Sequence, residues 1–260
     1  MERYIQVFLI FVCSLLFLPG CQKPVDISEA DKYETILDSL EKMATDSLFS
    51  NNAYSRTLLR SNMNVASDSL AYYRLMAVYS KVCFAAAQFD SVLYYNHSVL
   101  GYCKRIPETP HVQDLVSIIY NLAGNVWTQL SRPDSAIVCY KKAYDHREKG
   151  LKHAYLPDLC INLADACIHK GGYADAAYYY RRALFLCDSL NLPDLNKFPI
   201  YYGLGQTYME LRDFDLSNRY YEMAESYFSQ MNPTEKFTYL NNRGNLFYYK
   251  KDYSKYLGFL

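Results

Sequence analysis

The chain has 260 residues, 51% of them hydrophobic and 21% charged, enough apolar material for a large core and not the profile of a disordered segment. Lysine plus arginine equals aspartate plus glutamate at 27 each, so there is no basic footprint for nucleic acid and no polybasic attraction to anionic lipid. Twenty-eight tyrosines against one tryptophan suit helix interfaces that are half shielded from water, since each ring is apolar with a polar tip.

The first element is an apolar run from Tyr4 to Leu18 behind a single basic residue, Arg3. A spanning helix needs roughly 20 apolar residues, so the run is short for an anchor and suits a signal peptide. It ends in Leu18-Pro19-Gly20-Cys21, which resembles the bacterial lipobox, with Pro19 departing from the usual small residue. That resemblance implies a leader over 1–20, cleavage before Cys21 and lipidation of Cys21, a stable tether because acyl chains gain about 0.8 kcal/mol per buried methylene. A polar tether over 21–29 follows. Next come Tyr33, Ile36, Leu37, Leu40 and Ala44 on one helical face, then Tyr54, Leu58 and Leu59, predicting an N-terminal capping helix pair over 30–64.

From 65 to 260 the sequence repeats. Gly171–Ala183 and Arg212–Ala224 share a frame that also fits Ser131–Ala143, Ala87–Val99 and Lys251 onward. In that frame an aromatic or proline is followed three residues later by a small or apolar residue, and four later usually by an aromatic. Upstream of each block lies a second helical pattern: Tyr120, Ala123, Gly124, Trp127; Cys160, Leu163, Ala164, Cys167; Tyr201, Leu204, Gly205, Tyr208; and Leu240, Arg243, Gly244, Phe247. Met76, Tyr79, Ser80 and Cys83 form a degenerate earlier copy. Small residues at matched places let helices approach closely. Pro110, Pro157, Pro199 and Pro233 mark first-helix openings, and Asn232-Pro233-Thr234-Glu235 reads as a cap with its first turn. Copies begin near 73, 117, 157, 198 and 237, and the fifth stops inside its second helix, so the native chain is expected to continue past Leu260.

These patterns resemble the tetratricopeptide repeat, from about Ser69 to the end, with a period of roughly 40 instead of 34. The resemblance implies an all-α solenoid of antiparallel helix pairs, whose first helices line a concave groove for a protein or peptide partner. Carried onto this sequence, the partner-binding groove holds Asn121, Asn125, Asn162, Asp165, Tyr202, Gln206, Asn241 and Asn245, with Ile161 and Asn242 beside them and Tyr248 and Tyr249 as added stacking surface. Amides both donate and accept, so such a ladder suits a peptide backbone. The lysine and arginine set by which chaperone-binding members clamp a terminal carboxylate is missing.

Chemistry-bearing residues are sparse. Five histidines are scattered, no cysteines are spaced as C-x-x-C, and no nucleophile elbow, phosphate loop or H-E-x-x-H occurs. No catalytic residue, metal or cofactor is expected. Cys83, Cys160 and Cys167 sit where the repeat wants a buried apolar residue, and read as core thiols. As a whole the chain resembles the tetratricopeptide lipoproteins and sensors of Bacteroidetes. That implies a lipid-anchored scaffold in the bacterial cell envelope, periplasmic or at the cell surface, or alternatively the sensory part of a longer membrane-bound regulator.

Overall fold

A computed structural model describes residues 29–47, 50–63, 69–193 and 195–259. Cys21, the leader over 1–20 and the tether up to residue 28 lie outside the described residues. The chain divides into two units, 1–39 and 40–260, and the packing below belongs to the second.

Twelve helices are found among the described residues, and no strand. They are α1 (Glu29–Asp46), α2 (Asn52–Met63), α3 (Ser69–Ala85), α4 (Phe89–Cys103), α5 (Pro110–Gln129), α6 (Pro133–Glu148), α7 (Leu156–Lys170), α8 (Tyr173–Ser189), α9 (Phe198–Glu210), α10 (Phe214–Glu225), α11 (Pro233–Tyr249) and α12 (Tyr253–Leu257). From α3 onward they form five antiparallel pairs, each second helix also packing on the first helix of the pair that follows. First helices touch first helices as well: α3 meets α5, α7 meets α9, and α9 meets α11. Their closer approach puts them on the inner, concave side of a solenoid.

One local device closes every pair. One or two residues past each first helix the chain adopts a left-handed conformation, at Ala87, Ser131, Gly171, Arg212 and Lys251, with φ between 55° and 83°. The next backbone N–H then reaches back to a carbonyl in the last turn. Gln88 donates to Cys83, Arg132 to Trp127, Gly172 to Cys167, Asp213 to Tyr208 and Asp252 to Phe247, all at 2.8–2.9 Å. This closure satisfies orphan carbonyls at the helix end. Only Gly171 adopts it without steric cost.

Helix α8 shows why these sequences fold this way. It starts just past the Gly171 closure, and Ala176, Tyr180, Ala183 and Cys187 recur at helical spacing, all 2% exposed or less. Tyr180 fits because α9 carries Gly203, where a Cβ would sit 2.2 Å from the tyrosine ring. Gly124 under Tyr140 and Gly205 under Tyr221 play the same part in their pairs. Burying rings of this size contributes roughly 1.5–3 kcal/mol each. The prolines 110, 157, 199 and 233 all fall at the first or second helical position, and Asn232 with Glu235 forms a capping box.

Some sequence expectations shift. Helix α5 opens at Pro110, as the proline implied and ahead of the repeat frame that begins near 117, and Thr109 caps it by accepting from Val112 N. Its added turns carry Asp114, which makes a buried ion pair with Arg147 at 2.7 Å and accepts from the N–H groups of Leu151 and Lys152 at 3.0 and 3.3 Å. The long α6–α7 connection is pinned to the solenoid in this way, which accounts for part of the extended period. In α2 the inward residues are Ser55 and Leu59; Tyr54 is exposed, because Ser55 turns inward to donate to Ala44 O at 3.0 Å. The side chains of Tyr33, Ile36 and Leu37 lie outside the described residues. Cys83, Cys103, Cys160, Cys167 and Cys187 are buried thiols and Cys139 is half-buried. Burial pushes Cys103 up to about 11 and Cys160 up to about 12, which makes both inert at neutral pH.

Candidate groove on the concave face

The concave face is built from the sides of α5, α7, α9 and α11 that their second helices leave uncovered. The expected groove residues fall on these helices, and the structure separates them into two groups.

The first group is engaged in holding the repeats together. The Asn162 amide donates to Asn121 Oδ1 at 3.0 Å, joining α7 to α5, and the Asn242 amide donates to the Tyr202 hydroxyl, joining α11 to α9. Asn125 accepts from the Tyr140 hydroxyl at 2.8 Å, and Asp165 accepts from the Tyr180 hydroxyl. An asparagine ladder free along its whole length is therefore not what the chain builds. Its polar atoms are partly committed to neighbouring helices, each keeping one end for other contacts.

The amides of the second group make no hydrogen bond among the described residues. Asn241 is exposed, while Gln206 and Asn245 are half-buried. Tyr249 stacks on Phe214 with ring centroids 6.3 Å apart, and the Arg212 guanidinium lies 5.2 Å from the Tyr249 ring. Tyr248 meets Tyr249, Tyr253 and Tyr256. The two rings thus belong to a tyrosine cluster at the α11–α12 end. Ile161 is half-buried against the α7–α8 core.

Sequence reasoning missed a register of buried tyrosines. Tyr140, Tyr180 and Tyr221 occupy one position in successive second helices, each 3% exposed or less. Two of them send their hydroxyls to the groove residue 15 positions upstream, Asn125 and Asp165. Burial pushes the Tyr140 phenol up to about 12, and it pushes Tyr180 and Tyr221 up as well, so all three stay protonated donors. In the third pair of this series the upstream residue is Gln206, and the Tyr221 hydroxyl is buried with no partner among the described residues. The fixed offset of tyrosine to polar residue is visible in the sequence once the repeats are aligned.

Asp158 was also missed. It lies at the surface of α7, two turns before Asp165, and desolvation by the protein around it raises its carboxyl above the ordinary range. The same loss raises Asp165, opposed by the hydrogen bond from Tyr180 and by His169. No group of three or more metal-ligating side chains occurs among the described residues.

No family model and no curated protein matches the sequence. Solved structures do. A signal-transduction ATPase with a tetratricopeptide repeat sensor from Pyrococcus horikoshii superposes with a TM-score of 0.72 at 14% identity, over 87% of this chain and 35% of that one. The chain has the tetratricopeptide-repeat fold. PilF of Pseudomonas aeruginosa, a second neighbour, gives 0.62 at 14% identity over 87% of this chain and 89% of its own. Bacillus thuringiensis PlcR, solved with the peptide PapR7 and DNA, gives 0.62 at 12% over 79% and 72%. At such identities the likeness concerns the fold alone. It also gives the five helix pairs their name: tetratricopeptide-type repeats with lengthened first helices and connections.

Proposed function

We propose that this tetratricopeptide-repeat chain is an interaction scaffold that holds an extended segment of a partner protein along its concave face. The observation that carries this reading is the division of labour on the first helices. Their apolar sides are spent on the core, while Asp158, Asp165 and Asn241, together with half-buried Gln206 and Asn245, leave a polar strip across successive repeats. A strip of side chains that donate and accept suits a peptide backbone. The structure of PlcR with a bound peptide lends support from a neighbour of the same fold. Lipidation at Cys21 would hold the scaffold at a membrane of the bacterial envelope, where the partner would be met.

The test is alanine at Asn241 and Asn245, which have no hydrogen-bonding role in the fold among the described residues. Capture of the native partner from the source membranes should fall at least tenfold while the melting temperature stays within about 2 °C. Undiminished capture contradicts the groove reading. Asn125 and Asn162 are poorer probes, since their truncation also breaks contacts to Tyr140 and Asn121.

A second reading treats the repeats as a sensory input to a longer regulator. It draws on the Pyrococcus horikoshii protein, in which a repeat sensor of this fold is part of a larger chain. The intact mass of the native protein decides: residues 21–260 plus acyl chains for the scaffold, a much larger mass for the regulator.

A further inference from the structure

On α7 the residues that stay in solvent form one stripe. Asp158, Asp165 and His169 are exposed with half-buried Asn162 among them, at intervals of four, three and four that share a helix face. Asn162 fixes the direction of that face, because its amide reaches α5 across the concave side. Asp158 has no hydrogen bond or ion pair among the described residues, and Asp165 has only the hydrogen bond from Tyr180. Lys170, on the same helix, pairs with Asp134 at 2.6 Å, and Lys197 pairs with Asp188 at 3.0 Å. Two carboxylates therefore stand on one stripe of α7, with His169 as the one cationisable side chain of that stripe.

A second observation adjoins the first. Tyr221 is fully buried, and its hydroxyl has no hydrogen-bond partner among the described residues. Its ring lies 6.1 Å from that of Tyr202 and against Gly205. In the two preceding pairs the matching hydroxyl ends at the groove residue, so this one ends beneath Gln206. Native structures rarely leave a buried hydroxyl unpaired, so this one calls for an explanation. The floor between the two features is continuous, since Tyr180 abuts Gly203 of α9, next in the chain to Tyr202.

We propose that the groove across α7 and α9 receives a basic, extended segment of the partner, with lysine or arginine side chains on Asp158 and Asp165 and a backbone carbonyl on the Tyr221 hydroxyl. This rests on the groove reading above and gives the partner a chemistry. Seven helical residues separate the carboxylates by about 10 Å, close to the roughly 9 Å between residues i and i+3 of a peptide in the polyproline II conformation, which share a face at three residues per turn. The hydroxyl is covered, so the carbonyl reaches it when the half-buried Gln206 side chain changes rotamer. Desolvation in the concavity strengthens each ammonium–carboxylate contact relative to the open surface.

The probes are two blocked nonapeptides of glycine and serine, one carrying two lysines three residues apart, the other two glutamates at the same places. Binding to the full chain is followed by fluorescence anisotropy of a label on each peptide. The lysine peptide should bind at least tenfold more tightly than the glutamate peptide, and more weakly as salt rises. Asp158→Asn with Asp165→Asn should abolish that preference. The fold should tolerate the change, because asparagine at the matching place, Asn125, already accepts from its tyrosine. Tyr221→Phe should weaken the lysine peptide severalfold without lowering the melting temperature. Equal binding of both peptides, binding of neither, or a lysine preference that survives the double substitution overturns the proposal. Equal binding that is lost with alanine at Asn241 and Asn245 would overturn the charge preference and keep the groove. Binding indifferent to both sets of substitutions would remove the groove reading as well.

Discussion

Replacing Tyr140, Tyr180 and Tyr221 singly with phenylalanine removes one oxygen each from three equivalent, buried positions. The structure assigns the three oxygens different worth. Tyr140 donates to the neutral Asn125 amide at 2.8 Å, a bond worth about 1 kcal/mol net. Tyr180 donates to the Asp165 carboxylate, and hydrogen bonds to charged groups contribute roughly 1.5–3 kcal/mol. Tyr221 donates to no group among the described residues, so its hydroxyl carries a desolvation cost of roughly 1–3 kcal/mol that phenylalanine relieves. The expected order of stability is Tyr221→Phe above the unsubstituted chain, then Tyr140→Phe, then Tyr180→Phe. At this chain length 1 kcal/mol shifts a melting temperature by about 2–4 °C, so thermal and urea melts followed by circular dichroism resolve the series. Repeat arrays can unfold in stages, and the midpoint order is therefore the quantity to compare. Destabilisation by Tyr221→Phe equal to that of Tyr180→Phe would refute the reasoning.

Three further outcomes are expected. Asp114→Ala strands the Arg147 guanidinium, which is 5% exposed, and frees the loop held through Leu151 and Lys152; the loss should be about 3–5 kcal/mol by urea melt, and Asp114→Leu with Arg147→Met should recover much of it. At the left-handed closures, Ser131→Gly should stabilise by about 0.5–1 kcal/mol and Gly171→Ala should destabilise by about 1 kcal/mol, since only glycine adopts φ of 55–83° without strain. For Asp165 the folded-state carboxyl lies above its ordinary 3.8, so its contribution to stability is complete below that pH and is lost as pH rises through the folded value. Asp165→Asn cannot titrate, and should gain stability relative to the parent chain between pH 3 and pH 7 in paired melts; a relative loss would contradict the sign.

The repeat was legible because its physics is local. Gly124, Ala164 and Gly205 at matched places, the tyrosines opposite them and the prolines at first-helix openings all announce helices that must approach closely and start at fixed points. The concave positions could be placed by register alone, but their hydrogen bonds could not. Whether Asn162 reaches toward a ligand or toward Asn121 depends on how far α7 stands from α5, and no spacing along the chain encodes that distance. The Asp114–Arg147 pair was hidden for the same reason, its partners lying 33 residues apart outside the repeat frame. The left-handed closures escaped notice because four of the five lack glycine, the residue that usually signals them.

The most direct test of the central claim is site-specific photocrosslinking in the source cells. A benzophenone side chain would be placed in turn at concave Asn241 and Asn245 and at Tyr94 and Val138, which are exposed on the second helices α4 and α6. The concave positions should give a discrete adduct with one partner and the convex positions none. Adducts formed from Tyr94 or Val138 alone would place the partner on the opposite face and contradict the account.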